Sequence, residues 1–317
     1  MNFKEKDLKK TILVTGGAGF VGSVLIPLLI EQGYKVRAYD SLLYGIEPVM
    51  GLFLNKNFEL IKGDIRDVDR VKKYSEGVDA VIHLASLVGY PICKKNEKEA
   101  MSVNSYGTQA VLNSIPSKVP FIFASTGSCY GNLEGICKED LPLKPLTIYG
   151  KSKAKAEEFI QKRGNYVIYR FATGYGVSPR LRLDLMINDF CYKAVKEKNL
   201  IVYEKHFKRT FIHVYDMARS FLFAVENFDK MKNECFNVGS EKLNLTKEQI
   251  AEYIRRFVPY YLHYADFGHD EDKRDYSVSY EKIRKLGFET KISMEVGIIQ
   301  LIRLFKALEI ENKYSNV

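Results

Sequence analysis

Tyr149 and Lys153 stand four residues apart in IYGKSKAKAEEFI. On a helix, residues i and i+4 share a face, so Lys153 sits beside the Tyr149 phenol while Lys151, at i+2, does not. A neighbouring ammonium favours the phenolate and lowers a tyrosine pKa from its usual value of about 10. A base poised nearer neutrality is what removal of an alcohol proton needs. The spacing alone is weak, because 21 tyrosines in 317 residues produce such pairs by chance. Tyr90 with Lys94 and Tyr192 with Lys196 repeat it. The first encloses Pro91, which argues against a helix there, and the second has no chemical context. Tyr149 differs because the strand-like run PFIFAS precedes it and ends in Ser125, Thr126, Gly127 and Ser128. In an open parallel sheet, ligands bind beyond the carboxyl ends of the strands, where the Thr126 hydroxyl can hydrogen-bond the oxygen being oxidised.

Oxidising an alcohol calls for a hydride acceptor, and TILVTGGAGFVGS, residues 11–23, reads as the place that holds one. Ile12, Leu13 and Val14 read as a buried strand, and a helix-like run follows the glycines. Gly17, Gly19 and Gly22 match G-x-G-x-x-G, while Gly16, Gly19 and Gly22 recur at intervals of three. Glycine here lets the backbone turn sharply and approach a pyrophosphate, with the helix-start amides facing the anion. The competing reading is an ordinary glycine-rich turn. Against it stands an acid eighteen residues after Gly22, Asp40, at the end of the strand-like run YKVRAYD. A carboxylate there accepts hydrogen bonds from a ribose 2′-OH and repels a 2′-phosphate, which favours NAD over NADP. Arg37, a nearby cation, alternates to the other face of the strand.

These groups need a sheet beneath them. TILVT, KVRAYD, FELIKGD, AVIHLAS, PFIFAS and YVIYRF read as strands, and helical runs intervene at about 20–32, 66–75, 96–115 and 149–163. The alternation predicts an α/β fold, a Rossmann-type doubly wound parallel sheet with helices on both faces. A smaller, interleaved C-terminal substrate-binding domain is expected beside it. The expected division gives residues 1–170 plus about 207–239 to NAD, and about 171–206 plus 240–317 to the substrate. Pro27 falls inside the first helix and predicts a bend. The second half is less regular, with helices expected at 183–198 and 215–228, a short strand in CFNVG, a capped start at Thr246 and a final helix from about Ser293.

Hydrophobic content of 46% with 27% charge suits a soluble globular chain with a substantial core. The net charge of +9 raises nucleic-acid binding. The lysines are dispersed and no nucleic-acid motif accompanies them, so a solvated surface is the better reading and no nucleic-acid partner is expected. MNFKEKDLKK lacks the apolar core of a signal peptide, and VLIPLLI is too short to span a bilayer. A cytoplasmic protein without a membrane partner is expected. The five cysteines are scattered with no C-x-x-C pair, and the five histidines show no ligand spacing, so neither disulfides nor a metal are expected.

The ordered series TGGAGFVG, Asp40, GDIRD with Asp64, HLAS at 83–86, Asn104, FASTGSCYG, Tyr149-x-x-x-Lys153, RTFIHVYD, FNVG and LGFE resembles a known family over nearly the whole chain. It is that of the NAD-dependent sugar-nucleotide epimerases and dehydratases, the extended short-chain dehydrogenase/reductases. The resemblance implies Thr126, Tyr149 and Lys153 as the catalytic set. It implies a cofactor surface of Gly16, Gly19, Phe20, Val21, Gly22 and Asp40, with Asp64 and Ile65 flanking the adenine. Leu84, Ala85, Ser86 and Asn104 complete that surface, and Tyr149 and Lys153 meet the nicotinamide ribose. For a nucleotide-sugar substrate it implies Thr126, Thr173, Asn188, Arg209 and Arg274. The two arginines would sit on the diphosphate, which a guanidinium fork suits. A homodimer is implied through helices near 96–115 and 149–163, the first carrying apolar Ala100, Met101, Val103, Ala110, Val111 and Leu112.

Three departures narrow the expectation. Gly127 and Ser128 stand where the family's 4,6-dehydratases carry an Asp-Glu pair, so water elimination lacks its acid and base. Val88 stands where UDP-galactose epimerases have lysine, and Thr173 where they have asparagine. RFATGYGVSPRLRLDLMINDF, SLVGYPICKKN and DKRDYSVS resemble a narrower branch that modifies bacterial surface sugars, including enzymes acting at C4 of GDP-heptoses. The expected activity is an NAD-dependent 4-dehydrogenase on a GDP-linked heptose or hexose. A 4-epimerase of UDP-glucose type or a 4-ketoreductase would use the same site. A catalytically silent NAD(H)-binding regulator is the rival of a different class, and the joint presence of Thr126, Tyr149 and Lys153 speaks against it.

Overall fold

The computed structural model describes residues 9–131, 135–265 and 277–308. Five strands lead the chain: β1 (Lys9–Thr15), β2 (Tyr34–Asp40), β3 (Phe58–Lys62), β4 (Ala80–His83) and β5 (Phe121–Thr126). With strands Tyr166–Phe171 and Glu234–Val238 they form one seven-stranded sheet. From one edge the order is Glu234–Val238, Tyr166–Phe171, β5, β4, β1, β2, β3. Every pairing in it is parallel. The order reverses between β1 and β4, which opens a crevice at the carboxyl ends of those strands.

The central strands are apolar on both faces because helices cover both. On one side, Ile12, Val14, Ile82 and Ile122 pack with Leu25 and Leu29 of helix α1 (Gly22–Glu31) and with Phe221 of helix Val214–Glu226. On the other, Leu13, Val81, Phe121 and Phe123 pack with Val71 of helix α2 (Val68–Ser75), with Val111 and Leu112, and with Ile160 of helix Ile148–Arg163. A further apolar cluster gathers residues of the second half, among them Tyr175, Ile187, Phe211, Ile250, Ile254, Ile298 and Phe305. Helices Lys247–Arg255 and Met294–Ala307 supply much of it. Thr246 and Gln249 form a reciprocal capping box, and Ser293 caps the last helix.

Helix α1 continues through Pro27, which lies on its exposed face. Two local expectations change. The run 96–115 is helix Glu97–Met101, a π turn over Ser102–Gly107 and helix Thr108–Ser114. Tyr90 and Lys94 do share a helix, Tyr90–Lys95, because Pro91 falls in its first turn, where no amide donor is needed. Of the apolar residues expected at a dimer face, Ala100, Val111 and Leu112 are buried within the protomer. Tyr106 projects from that segment, 56% exposed. No helix among the described residues is long and apolar enough to cross a membrane.

Candidate active site

A cavity of about 980 Å³ opens at the switch point and is lined from the ends of β1, β2, β4 and β5 together with loops of the second half. The glycine turn forms one wall. Gly16 has φ +72°, and a Cβ there would lie 2.6 Å from the Ala85 amide nitrogen. A Cβ on Gly22 would lie 2.5 Å from the carbonyl oxygens of both Gly16 and Gly17. The turn therefore packs against itself and against the loop after β4, with no room for a side chain. Among the described residues, the amides of Phe20, Val21 and Gly22 have no acceptor, and no side chain caps α1. Such amides at a helix start form a ready anion site.

Asp40 closes this end. One carboxylate oxygen accepts from the Ala18 amide at 2.9 Å and the other from the Leu42 amide at 2.8 Å. Burial pushes its carboxyl up from the usual value, and those two amides oppose the shift. A carboxylate has about four lone-pair sites, so acceptor capacity remains for ribose hydroxyls. Arg37 lies elsewhere, on Glu59 and the carbonyls of Tyr74 and Glu76. Asp64, which also lines the cavity beside Ile65, is held below the usual carboxylate range by hydrogen bonds from Arg66.

The chemical groups converge from β5 and helix Ile148–Arg163. Thr126 Oγ1 accepts from the Ser128 amide and donates to the Ser128 hydroxyl, both at 3.1 Å. Thr147 caps the helix by accepting from the Gly150 amide, which sets Tyr149 in its first turn. Thr126, Tyr149 and Lys153 all line the cavity. Lys153 is 2% exposed, and its ammonium lies 4.1 Å above the Phe123 ring, with no hydrogen-bond acceptor among the described residues. Burial pulls its pKa down to about 8. Behind Phe123, His83 bridges Thr15 and Thr108, and burial pulls it down to about 3, so it is a neutral strut.

Leu84, Ala85, Ser86, Thr173 and Arg209 also reach the wall, as do Gly16, Gly19, Phe20, Val21 and Gly22. Two expected contacts stand behind the wall instead. Asn104 is fully buried in the π turn, where it clamps both polar groups of the Leu87 backbone and donates to Ser152. Asn188 clamps the backbone of Gly176 and Arg182 in the same way. Neither is among the residues that line the cavity, and their hydrogen bonds hold the loops of Leu87, Gly176 and Arg182 beside it. Arg274 lies outside the described residues. Sequence reasoning missed Arg180, Arg182 and Asp184, which line the cavity from the loop after Thr173–Tyr175. Arg180 lies over the Tyr44 ring at 4.3 Å, and Arg182 pairs with Asp184 at 2.5 Å while donating to the Val88 carbonyl. Their signal was two arginines two residues apart beside Pro179. The five cysteines are buried and unpaired, and no metal-ligand cluster occurs among the described residues.

A glycine turn, free helix-start amides and a carboxylate at the end of β2 thus fit a dinucleotide, and a family match decides between such folds. The model of the NAD dependent epimerase/dehydratase family matches residues 12–239. The chain belongs to this family.

Members resemble it along almost its full length. A putative UDP-glucose 4-epimerase of Methanocaldococcus jannaschii is 28% identical, over 93% of this chain and 98% of that protein. The dTDP-D-glucose 4,6-dehydratase of Mus musculus is 28% identical, over 94% and 89%. Among solved structures, the UDP-glucose 4-epimerase of Thermotoga maritima with UDP-glucose superposes with a TM-score of 0.83 at 26% identity, covering 94% of this chain and 99% of that one. The fold is also that of a Bacillus anthracis dTDP-glucose 4,6-dehydratase in complex with NAD, with a TM-score of 0.82 at 22% identity, covering 94% and 97%. The cofactor of this family member is NAD.

Proposed function

We propose that this enzyme oxidises C4 of a nucleotide-diphosphate sugar, most specifically a GDP-linked heptose or hexose. The observation that carries the reaction is that Thr126, Tyr149 and Lys153 line the same cavity as the glycine turn. Bound NAD supplies the hydride acceptor. Tyr149 takes the proton of the sugar 4-OH, and the Thr126 hydroxyl holds the same oxygen. Lys153 stabilises the tyrosinate by its charge, and its buried donors suit ribose hydroxyls. Arg209, 3% exposed on strand Lys208–His213, offers a guanidinium to the diphosphate.

The residues directly after Thr126 are Gly127 and Ser128, which carry no acid for 4,6-elimination. The guanine base and the larger sugar rest on the branch resemblance of residues 170–190. Epimerisation of a UDP-sugar is the second reading, favoured by the names of the relatives from M. jannaschii and T. maritima. Offering GDP-, UDP-, dTDP- and CDP-sugars in turn, with NADH absorbance and recovered C4 configuration as readouts, separates the readings. Net NADH with a GDP-sugar is expected. Inverted UDP-glucose with no response to any GDP-sugar would replace dehydrogenation by epimerisation. The functional unit we propose is a homodimer through the face bearing Tyr106, so light scattering at micromolar concentration should give twice the chain mass, and Tyr106→Glu should halve it.

A further inference from the structure

Behind the Tyr149–Lys153 face lies a buried charge that the reaction as described does not use. Glu157 sits one helical turn beyond Lys153 and pairs with Arg170 of strand Tyr166–Phe171 at 2.8 Å, the two side chains being 2% and 5% exposed. Glu157 also accepts a very short hydrogen bond from the hydroxyl of Ser125, the residue before Thr126. Arg170 continues to Tyr130 and the Glu139 carbonyl, and Tyr130 donates to Asn237. One carboxylate thus joins the helix of Tyr149 and Lys153 to the strand of Thr126 and to the next strand. Well-packed apolar residues would hold these elements as firmly, since a buried ion pair about breaks even against its desolvation. What a carboxylate adds is a field acting through a low-dielectric interior.

We propose that Glu157 is a positioning residue of the oxidation site, supplying a buried negative charge one helical turn from the Lys153 ammonium. This rests on the reading that Tyr149 and Lys153 perform the chemistry. The groups around Lys153 come from several elements: Glu157 and Tyr149 on its own helix, Cys129 after β5, Cys93 on helix Tyr90–Lys95, His83 on β4 behind Phe123, and Arg170 beyond Glu157. Burial pushes the Cys129 thiol up to about 12 and the Cys93 thiol up to about 11, and it keeps His83 neutral. Glu157, ion-paired with Arg170, is the negative charge among them. Without it the buried ammonium would shed its proton at lower pH, and a neutral lysine does not stabilise a tyrosinate.

The test is a titration of Lys153 in NAD-saturated protein, by NMR of 13Cε-labelled lysine with Lys153→Met to assign the signal. Glu157→Gln should lower the Lys153 midpoint by about one pH unit and carry the alkaline limb of the turnover profile with it. Glu157→Asp, which keeps the charge, should restore both. If Arg170, left unpaired, prevents Glu157→Gln from folding, Glu157→Gln with Arg170→Met is compared with Arg170→Met alone, so that the difference in midpoint is that of the Glu157 charge. An unmoved midpoint in the folded variant overturns the proposal. The titration needs no sugar, so that outcome leaves the assignment of the chemistry standing, whereas wild-type turnover by Tyr149→Phe would overturn that assignment itself.

Discussion

At the cofactor end of the cavity the wall is backbone, whereas at the other it is side chains drawn from loops and strand ends. The first is a turn so tight that a Cβ on Gly22 meets two carbonyl oxygens at 2.5 Å, with Asp40 holding the Ala18 amide across it. The second is assembled from Val88, Thr173, Arg180, Arg182, Asp184 and Arg209, which come from separate stretches of chain. A backbone cradle has one shape and one ligand class. A side-chain wall changes its ligand with each substitution at little cost to the fold. The difference explains how members with one cofactor carry names citing different sugars, and it makes the two ends separately testable.

The largest effect should come where the two ends meet. General-base catalysis contributes roughly 10²–10⁴-fold, so Tyr149→Phe should lower kcat by about 10³-fold while NAD affinity, read by calorimetry, stays within about threefold. Next is the cradle. Overpacking costs about 1–3 kcal/mol, so Gly22→Ala should weaken NAD binding by roughly ten- to a hundredfold. Wild-type NAD affinity in Gly22→Ala would mean that the backbone does not set the cofactor end.

Smaller effects should divide cleanly between the ends. Hydrogen bonds to charged groups are worth about 1.5–3 kcal/mol, so Arg209→Met should raise KM for the nucleotide sugar by about tenfold or more without changing NAD affinity. Asp40→Ala should do the reverse, narrowing the preference for NAD over NADP and leaving the sugar KM alone. Crossed effects would break the division. The smallest is a pH effect on stability. The Lys153 pKa falls from 10.5 in the unfolded chain to about 8 when folded, so between these values the unfolded state binds the extra proton. Stability of the unliganded protein should therefore rise with pH across that window by this contribution, and Lys153→Met should remove the rise in urea titrations.

The cofactor end was legible in the sequence because its determinants are local. Gly16, Gly19 and Gly22 act within one turn, and Asp40 follows on the next strand, so spacing and residue type suffice. The parallel sheet followed from the alternation of strand-like and helix-like runs, whereas its strand order did not. Asn104 and Asn188 show where such reading stops: a motif position tells which residue is present, not which way its amide faces, and both are turned toward loop backbone. Pro91 misled because its effect depends on whether it falls in the first turn of a helix or later. Arg180 and Arg182 were hidden for a different reason. Their loop is set against the cofactor end by Ser178, which donates to the Phe20 carbonyl and contacts Ser23, 158 and 155 residues away in sequence. No local pattern encodes that contact.

The central claim, that this site oxidises C4 of a nucleotide-linked sugar through Tyr149, is tested most directly by following the C4 hydrogen. GDP-linked heptose or hexose carrying deuterium at C4 is incubated with the NAD-loaded enzyme, and cofactor and sugar are analysed by mass spectrometry. Deuterium on the reduced cofactor and a 4-keto sugar are expected, and neither product with Tyr149→Phe. Deuterium retained at C4 with every nucleotide sugar offered, or transfer undiminished in Tyr149→Phe, would contradict the claim.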